Sequence, residues 1–281
     1  MTGLARITLT CAAYSLLFSI APVALPQTPG GAPPSRPIVV SGSSTVHPLV
    51  TDIARRFERV NPGIRIEVHS GGSGRGIADL RGDATDIAMV SRPLAENERD
   101  LFAFPLCRDG AVIVVHRSNP LQRLSSRQLA ELLTGGITDW KQLGARAGPV
   151  RLAWRSEGQA IPDLLLQHLK LKPEQIRSHA TFFENSDAVK FAASDRDAIT
   201  VAAFGVAERT ARSGAAVKLL AYEGVTPTVQ TVRDHTYALS RPLLLVTRSV
   251  PTGAPKRFID YAVSRAVNDL HEKHGFVAYQ Q

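Results

Sequence analysis

The sequence predicts an α/β fold of two lobes, on three observations. Short apolar, β-prone runs alternate with amphipathic helical runs after residue 38, the pattern of largely parallel sheets with flanking helices. About nine such strands occur, more than suits a single compact sheet, so two α/β lobes fit the chain better. Its 281 residues suffice for two domains of ordinary size, and 44% apolar with 21% charged residues is the balance of a folded chain.

The elements follow in order. Ile38-Val39-Val40 reads as a strand. Val46 to Val60 carries Leu49, Val50, Ile53 and Phe57 at helical spacing, and Pro62-Gly63 stops it. Ile64 to Val68 alternates as a strand, Gly76 to Leu80 starts a short helix, and Asp86 to Val90 is a strand again. Ala111 to His116 is a Val-rich strand. The second half repeats the rhythm, with helices at Ser125 to Leu133, Ile161 to Leu169 and Asp187 to Ala193. Strands are expected at Val150 to Trp154, Phe182-Phe183, Ala198 to Phe204, Val217 to Ala221 and Tyr237 to Thr247. Lys256 to His271 is expected as one closing helix.

The N-terminus differs from the rest. Arg6 is the only charged side chain before residue 25, Ile7 to Ile20 is largely apolar, and Ala21-Pro22-Val23-Ala24 supplies small residues. This is the layout of a secretory signal peptide over residues 1–24, and the apolar run is short for a bilayer span. Pro26, Pro29, Pro33, Pro34 and Pro37 make residues 25–37 a linker. Once the signal is removed, Cys107 is the one remaining cysteine and is expected as a buried small hydrophobe. The net charge is +8, but the positive residues are dispersed, without the basic block or aromatic-laced stripe of a nucleic-acid binder. The eight histidines show no metal-ligand spacing. Ser44 and His47 lie three apart, but no Gly-x-Ser-x-Gly elbow is present and no third group orients His47. Trp140 and Trp154 are expected as core or lobe-packing residues rather than stacking platforms.

Three strand-to-helix junctions carry the chemistry. Ser41-Gly42-Ser43-Ser44-Thr45-Val46 offers hydroxyls that either cap the following helix or donate to an anion favoured by the helix dipole. Ser70-Gly71-Gly72-Ser73-Gly74-Arg75-Gly76 has four glycines that let backbone approach a ligand closely, without the Gly-Lys-Ser/Thr ending of a P-loop. The strand from Asp86 ends in Ser91-Arg92, and arginine suits a bidentate grip on a tetrahedral oxyanion.

Taken together, the stretches SGSSTVHPL (41–49), SGGSGRGI (70–77), DIAMVSRPL (86–94), PLCRDGAVIVVHRSNPL (105–121), LLTGGITDW (132–140) and YALSRPLLLVTR (237–248) resemble the phosphate-binding proteins of bacterial phosphate ABC transporters. That family has the class II periplasmic solute-binding fold. The resemblance implies two α/β lobes joined by a two-strand hinge, with lobe 1 from 38–113 and 215–281 and lobe 2 from 114–214. It implies an anion held in the cleft by Ser44, Thr45, the Val46 N–H, Ser73, Gly74, Ser91 and Arg92 from one lobe and by Arg155 and Gln159 from the other. The segment Arg155-Ser156-Glu157-Gly158-Gln159-Ala160-Ile161 departs from the family's Arg-x-x-Gly-Ser-Gly-Thr, so two hydroxyl donors are missing. At about 1.5–3 kcal/mol for each charge-assisted bond, the loss is worth about two decades of affinity or more. Ser91 stands where some members carry an Asp that accepts the proton of hydrogen phosphate.

The implied function is capture of a small oxyanion, foremost inorganic phosphate, in the periplasm for an ABC permease of the inner membrane. No catalysis, cofactor, metal or nucleic acid is expected, and the protein is expected to be a monomer. A sensor or scaffold of the same fold with altered anion binding is one alternative, and an exported Ser-dependent hydrolase is another.

Overall fold

The computed structural model describes residues 36–155, 160–182 and 184–279, with backbone alone for Arg155 and Ala160. The expected signal peptide, most of the linker and Gln159 lie outside the described residues. No described helix is long and apolar enough to cross a membrane.

The described chain begins with β1 (Ile38–Gly42), α1 (His47–Val60), β2 (Ile66–Ser70), α2 (Ser73–Arg81) and β3 (Ile87–Val90). β1 lies between β2 and β3, parallel to both. Its Ile38 and Val40 are buried and Val39 partly so, and as a parallel strand of a covered sheet it reads as a continuous apolar run rather than an alternating one. α1 buries Leu49, Val50, Ile53, Ala54 and Phe57, the stripe expected from its spacing, and Pro48 sits in its first turn, where no intrahelical N–H is needed.

β4 (Phe102–His116) is far longer than the expected strand at 111–116. Its first half and its second half belong to different sheets. Residues 102–110 pair antiparallel with β11 (Ser240–Thr247), which itself pairs with β3. Residues 111–115 pair with β8 (Ala198–Ala203). Between β4 and β8 run β5 (Arg123–Leu124), α3 (Ser126–Thr134), β6 (Arg151–Arg155), α4 (Ala160–Leu169), β7 (Ala180–Phe182) and α5 (Asn185–Ser194). β6 lies parallel between β8 and β7. After β8 come α6 (Phe204–Arg212), β9 (Val217–Leu219), β10 (Ala221–Tyr222) and α7 (Val229–Arg233). After β11 the chain ends in α8 (Gly253–Ala262), α9 (Asn268–Lys273) and β12 (Val277–Ala278).

The result is two α/β lobes, each with its own parallel strands and its own core. One core gathers Ile113, Leu129, Trp140, Leu165, Tyr222 and Tyr237. The other lobe packs Val40, Leu49, Phe57, Met89, Leu245 and Phe258 on one face of its sheet, and Ile77, Val90, Leu244 and Val246 on the opposite face. The chain crosses outward through β4 near Gly110 and returns near Leu239, whose carbonyl accepts the Ala111 N–H at 2.9 Å. These crossings form a two-strand hinge.

Three further expectations differ from what is observed. Residues 215–239, assigned by resemblance to lobe 1, pack with the second sheet: β9 pairs with residues 114–116 of β4, and Tyr222, Val232 and Tyr237 belong to the second core. The expected strand from Tyr237 begins only at Ser240, because 237–239 turn into the hinge and the Ser240 N–H donates to the Tyr237 carbonyl. The expected closing helix 256–271 is broken after Ala262. Ser264 Oγ donates to the Tyr261 carbonyl and accepts the Ala266 N–H, ending α8 and starting a 3₁₀ turn before α9. Trp140 and Trp154 are core residues, and Cys107 is fully buried, with burial pushing its thiol up.

Candidate functional site

β1, β2 and β3 all point their carboxyl ends the same way, so the three Ser/Gly junctions meet at one edge of the first sheet. Ligands of open α/β sheets lie outside such carboxyl ends. Glycine makes the convergence tight. Gly42 has φ +132°, and a Cβ there would stand 2.3 Å from the Met89 carbonyl oxygen. Ser43 N–H donates to that same oxygen at 2.8 Å. The Gly42 carbonyl then accepts the N–H groups of both Gly71 and Gly72 at 2.8 Å. A Cβ on Gly76 would come within 2.7 Å of Gly42 Cα, so α2 packs directly on the end of β1.

Ser73 ties the second junction to the third. Its Oγ accepts the Ser91 N–H at 3.1 Å and lies 3.3 Å from Ser91 Oγ. Ser73 and Gly74 open α2, whose cap residue Gly72 supplies no side-chain bond. The first-turn N–H groups of a helix have no intrahelical partner. A Cβ on Gly74 would meet nothing within 4 Å, so that turn faces open space.

At the first junction the hydroxyls do not cap. The cap residue of α1 is Val46, with no side-chain cap bond. Ser44 is exposed and Thr45 half-buried. Neither hydroxyl makes a hydrogen bond among the described residues, so both are available to a ligand. The Val46 N–H, expected to face the anion, instead donates to the Ser43 carbonyl at 3.2 Å, as does the His47 N–H at 3.0 Å. His47 Nε2 lies 3.3 Å from the Val68 carbonyl oxygen, which gives that nitrogen a backbone partner rather than Ser44.

Arg92 ends the third junction, and its fork is engaged. Nη1 and Nη2 donate to the two carboxylate oxygens of Glu98 at 2.6 and 2.8 Å, and Nη1 also reaches the Pro93 carbonyl. Glu98 is buried, and the Arg92 guanidinium holds its carboxyl down to about 2 despite that burial. Arg92 therefore has its Nε edge, not its full fork, left for a ligand.

In the second lobe Arg155 occupies the carboxyl end of β6, between β8 and β7, and α4 starts at Ala160. Strand, short connection and helix thus repeat the topology of the first junction. Gln159 lies in the connection outside the described residues.

The sequence reading assigned no role to a charged pair on the hinge. Arg241 Nη2 donates to Asp109 Oδ2 at 3.0 Å, and both residues are buried. Asp109 Oδ1 also accepts the Gly110 N–H at 2.9 Å. The two residues stood within stretches quoted for the resemblance, but they are 132 positions apart, and only the register Arg241↔Asp109 brings them together. Among the described residues no group of three or more His, Cys, Asp or Glu could hold a metal ion.

Comparison with known proteins agrees with this architecture. Residues 27–266 match the PBP superfamily domain. The phosphate-binding protein PstS of Borreliella burgdorferi is 24% identical over 254 residues, which are 85% of this chain and 89% of that protein. The phosphate-binding protein PstS of Bacillus subtilis is 28% identical over 82% of this chain and 76% of its own length. The crystal structure of an ABC-type phosphate transport receptor from Vibrio cholerae aligns with a TM-score of 0.76 at 27% identity, covering 86% of this chain and 99% of that one.

Proposed function

We propose that this chain, which belongs to the PBP superfamily, is a binding protein that captures inorganic phosphate or a close oxyanion in the cleft between its lobes and delivers it to an ABC permease. The observation that carries this reading is the convergence of three strand-to-helix junctions at one sheet edge, where the Ser44 and Thr45 hydroxyls make no hydrogen bond among the described residues and the first turn of α2 opens onto free space. Thr45, Ser44, Ser73 with Gly74, and Ser91 form the half-site of the first lobe. Arg92 adds charge beside it, fixed in place by Glu98. Arg155 and Gln159 supply the facing half-site. Oriented donors in a cleft that closes around an oxyanion bind it without further reorganisation.

The matched relatives named for phosphate binding and phosphate transport support this choice of ligand. They also support a role as a receptor rather than an enzyme. The apolar N-terminal run of the sequence supports export and a periplasmic site of action. Capture needs no second copy, so we assign a monomer.

Gln159, Ala160 and Ile161, where the family pattern has Ser, Gly and Thr, favour a second reading as a sensor or scaffold with weakened anion binding. A thermal-shift series with phosphate, arsenate, sulfate and molybdate separates the two. Ligand binding to the native state raises its melting temperature, by about 2.7 kcal/mol of stability at a hundredfold excess over Kd. Stabilisation by phosphate supports capture, and no shift with any of the four anions supports the scaffold.

A further inference from the structure

The first-lobe half-site is built from groups that donate. The junction segments 41–46, 70–76 and 91–95 hold hydroxyl residues, glycines, two arginines and a few apolar residues, and no acid. The Ser44 and Thr45 hydroxyls make no hydrogen bond among the described residues. Ser73 Oγ accepts the Ser91 N–H at 3.1 Å and lies 3.3 Å from Ser91 Oγ, so the two hydroxyls use one proton between them and keep the other. Backbone N–H groups and the Arg92 Nε donate, and a hydroxyl rotates to donate or to accept.

The acids that flank these segments are held elsewhere. Glu98 gives both carboxylate oxygens to Arg92, at 2.6 and 2.8 Å, and one of them also accepts the Ala95 N–H. Asp79 accepts from Arg75 Nε at 2.6 Å and from Ser41 Oγ at 3.2 Å. Asp52 of α1 binds Lys273 Nζ at 2.8 Å and lies 2.9 Å from His274 Nε2. Glu96 pairs with Arg99 at 2.7 Å, and Asp109 on the hinge with Arg241 at 3.0 Å. Glu67 is exposed beside His69, level with Val39 and short of the strand end. Asp86 precedes β3 at the opposite end of the sheet, paired with Arg36 at 2.6 Å. Among the described residues of the first lobe, no carboxylate is both free and at the strand ends where the junctions meet.

We propose that this half-site does not read whether its oxyanion carries a proton, so the protein binds sulfate alongside hydrogen phosphate, and that Ser91 is the position that sets this tolerance. The proposal rests on the oxyanion-capture reading and widens its ligand class to fully ionised tetrahedral anions. Only an acceptor without a proton of its own, an ionised carboxylate, rejects such an anion, because two acceptors of like charge then face each other. The Ser91 hydroxyl instead donates to either anion. Its place beside Ser73, between the second and third junctions, makes it the point where a carboxylate would restore the distinction.

The test is calorimetric titration of the full chain and of Ser91→Asp with inorganic phosphate and, separately, with sulfate, with melting temperatures measured alongside. The wild type binds the two anions with affinities within about tenfold of each other. Ser91→Asp loses sulfate by about a hundredfold more than it loses phosphate. A variant that weakens both anions equally, as plain damage to the junction would, overturns the role of Ser91. A wild type that binds phosphate and rejects sulfate by about a hundredfold or more overturns the proposal and leaves capture standing. If Glu157→Gln then admits sulfate, the acceptor belongs to the second lobe. Absence of heat with both anions in the folded wild type overturns the capture reading, and the proposal with it.

Discussion

Arg92 illustrates how a neighbour decides what a site residue can do. Arginine after a strand suits an oxyanion, but Glu98 six residues later takes the fork in a nearly buried bidentate bridge. The Glu98 carboxyl falls from 4.5 to about 2 on folding, so the unfolded chain binds more protons between those values. The stability it contributes is complete above pH 4.5 and is lost as pH falls towards 2. Glu98→Gln is expected to cost about 1.5–3 kcal/mol in urea unfolding at pH 7 and to weaken phosphate binding by freeing Arg92 from its position. His271 gives a second pH signature. It is buried, neither ring nitrogen has a hydrogen-bond partner among the described residues, and burial lowers it from 6.5 to about 4. The unfolded chain again binds more protons in that interval, so stability falls from pH 6.5 to 4 and this contribution is flat below it. His271→Leu removes that slope in thermal unfolding and keeps stability at pH 7.5 within about 1.5 kcal/mol, because no hydrogen bond is lost. A slope that survives the substitution assigns the acid sensitivity elsewhere.

At the scale of elements, the junctions depend on helices packed closer to strands than a Cβ allows. Gly76 in α2 rests on Gly42 and Ser41 of β1, where a methyl group would stand only 2.7 Å from Gly42 Cα and 2.9 Å from the Ser41 oxygen. Gly76→Ala is expected to lift α2 from β1 and to cost about 1–3 kcal/mol. Because Ser73 and Gly74 ride on the same helix, phosphate affinity falls with it. Retained affinity in a variant whose melting temperature has dropped would separate α2 packing from the site. Most elements were legible from periodicity, since the buried stripe of α1 and the apolar run of β4 are local patterns. The broken C-terminal helix was not, because its apolar spacing continues through the break while the Ser264 hydroxyl stops one helix and starts the next. The junctions were legible as strand, Ser/Gly segment and helix, but which N–H groups stay free was not. Val46 and His47 turn onto the Ser43 carbonyl, and that choice is made by the backbone path.

For the molecule as a whole, two lobes followed from the number and alternation of strands, but the place of the return crossing did not. Val217 to Leu219 look equally suited to either sheet in sequence, and their long-range pairing with β4 keeps them in the second. The hinge pair Asp109–Arg241 was hidden for the same reason, since antiparallel register is a property of the folded chain. The proposed anion trap is assembled from two half-sites: the first from glycine-compressed junctions, the second from Arg155 without the hydroxyl pair of the family pattern. The most direct measurement is isothermal titration of inorganic phosphate into the wild-type protein and into Thr45→Val, which deletes one unengaged hydroxyl at nearly constant volume. The account predicts one site of micromolar or tighter affinity, weakened about tenfold or more in Thr45→Val with the melting temperature unchanged. No heat with the wild type, or equal affinity in the two proteins, would contradict it.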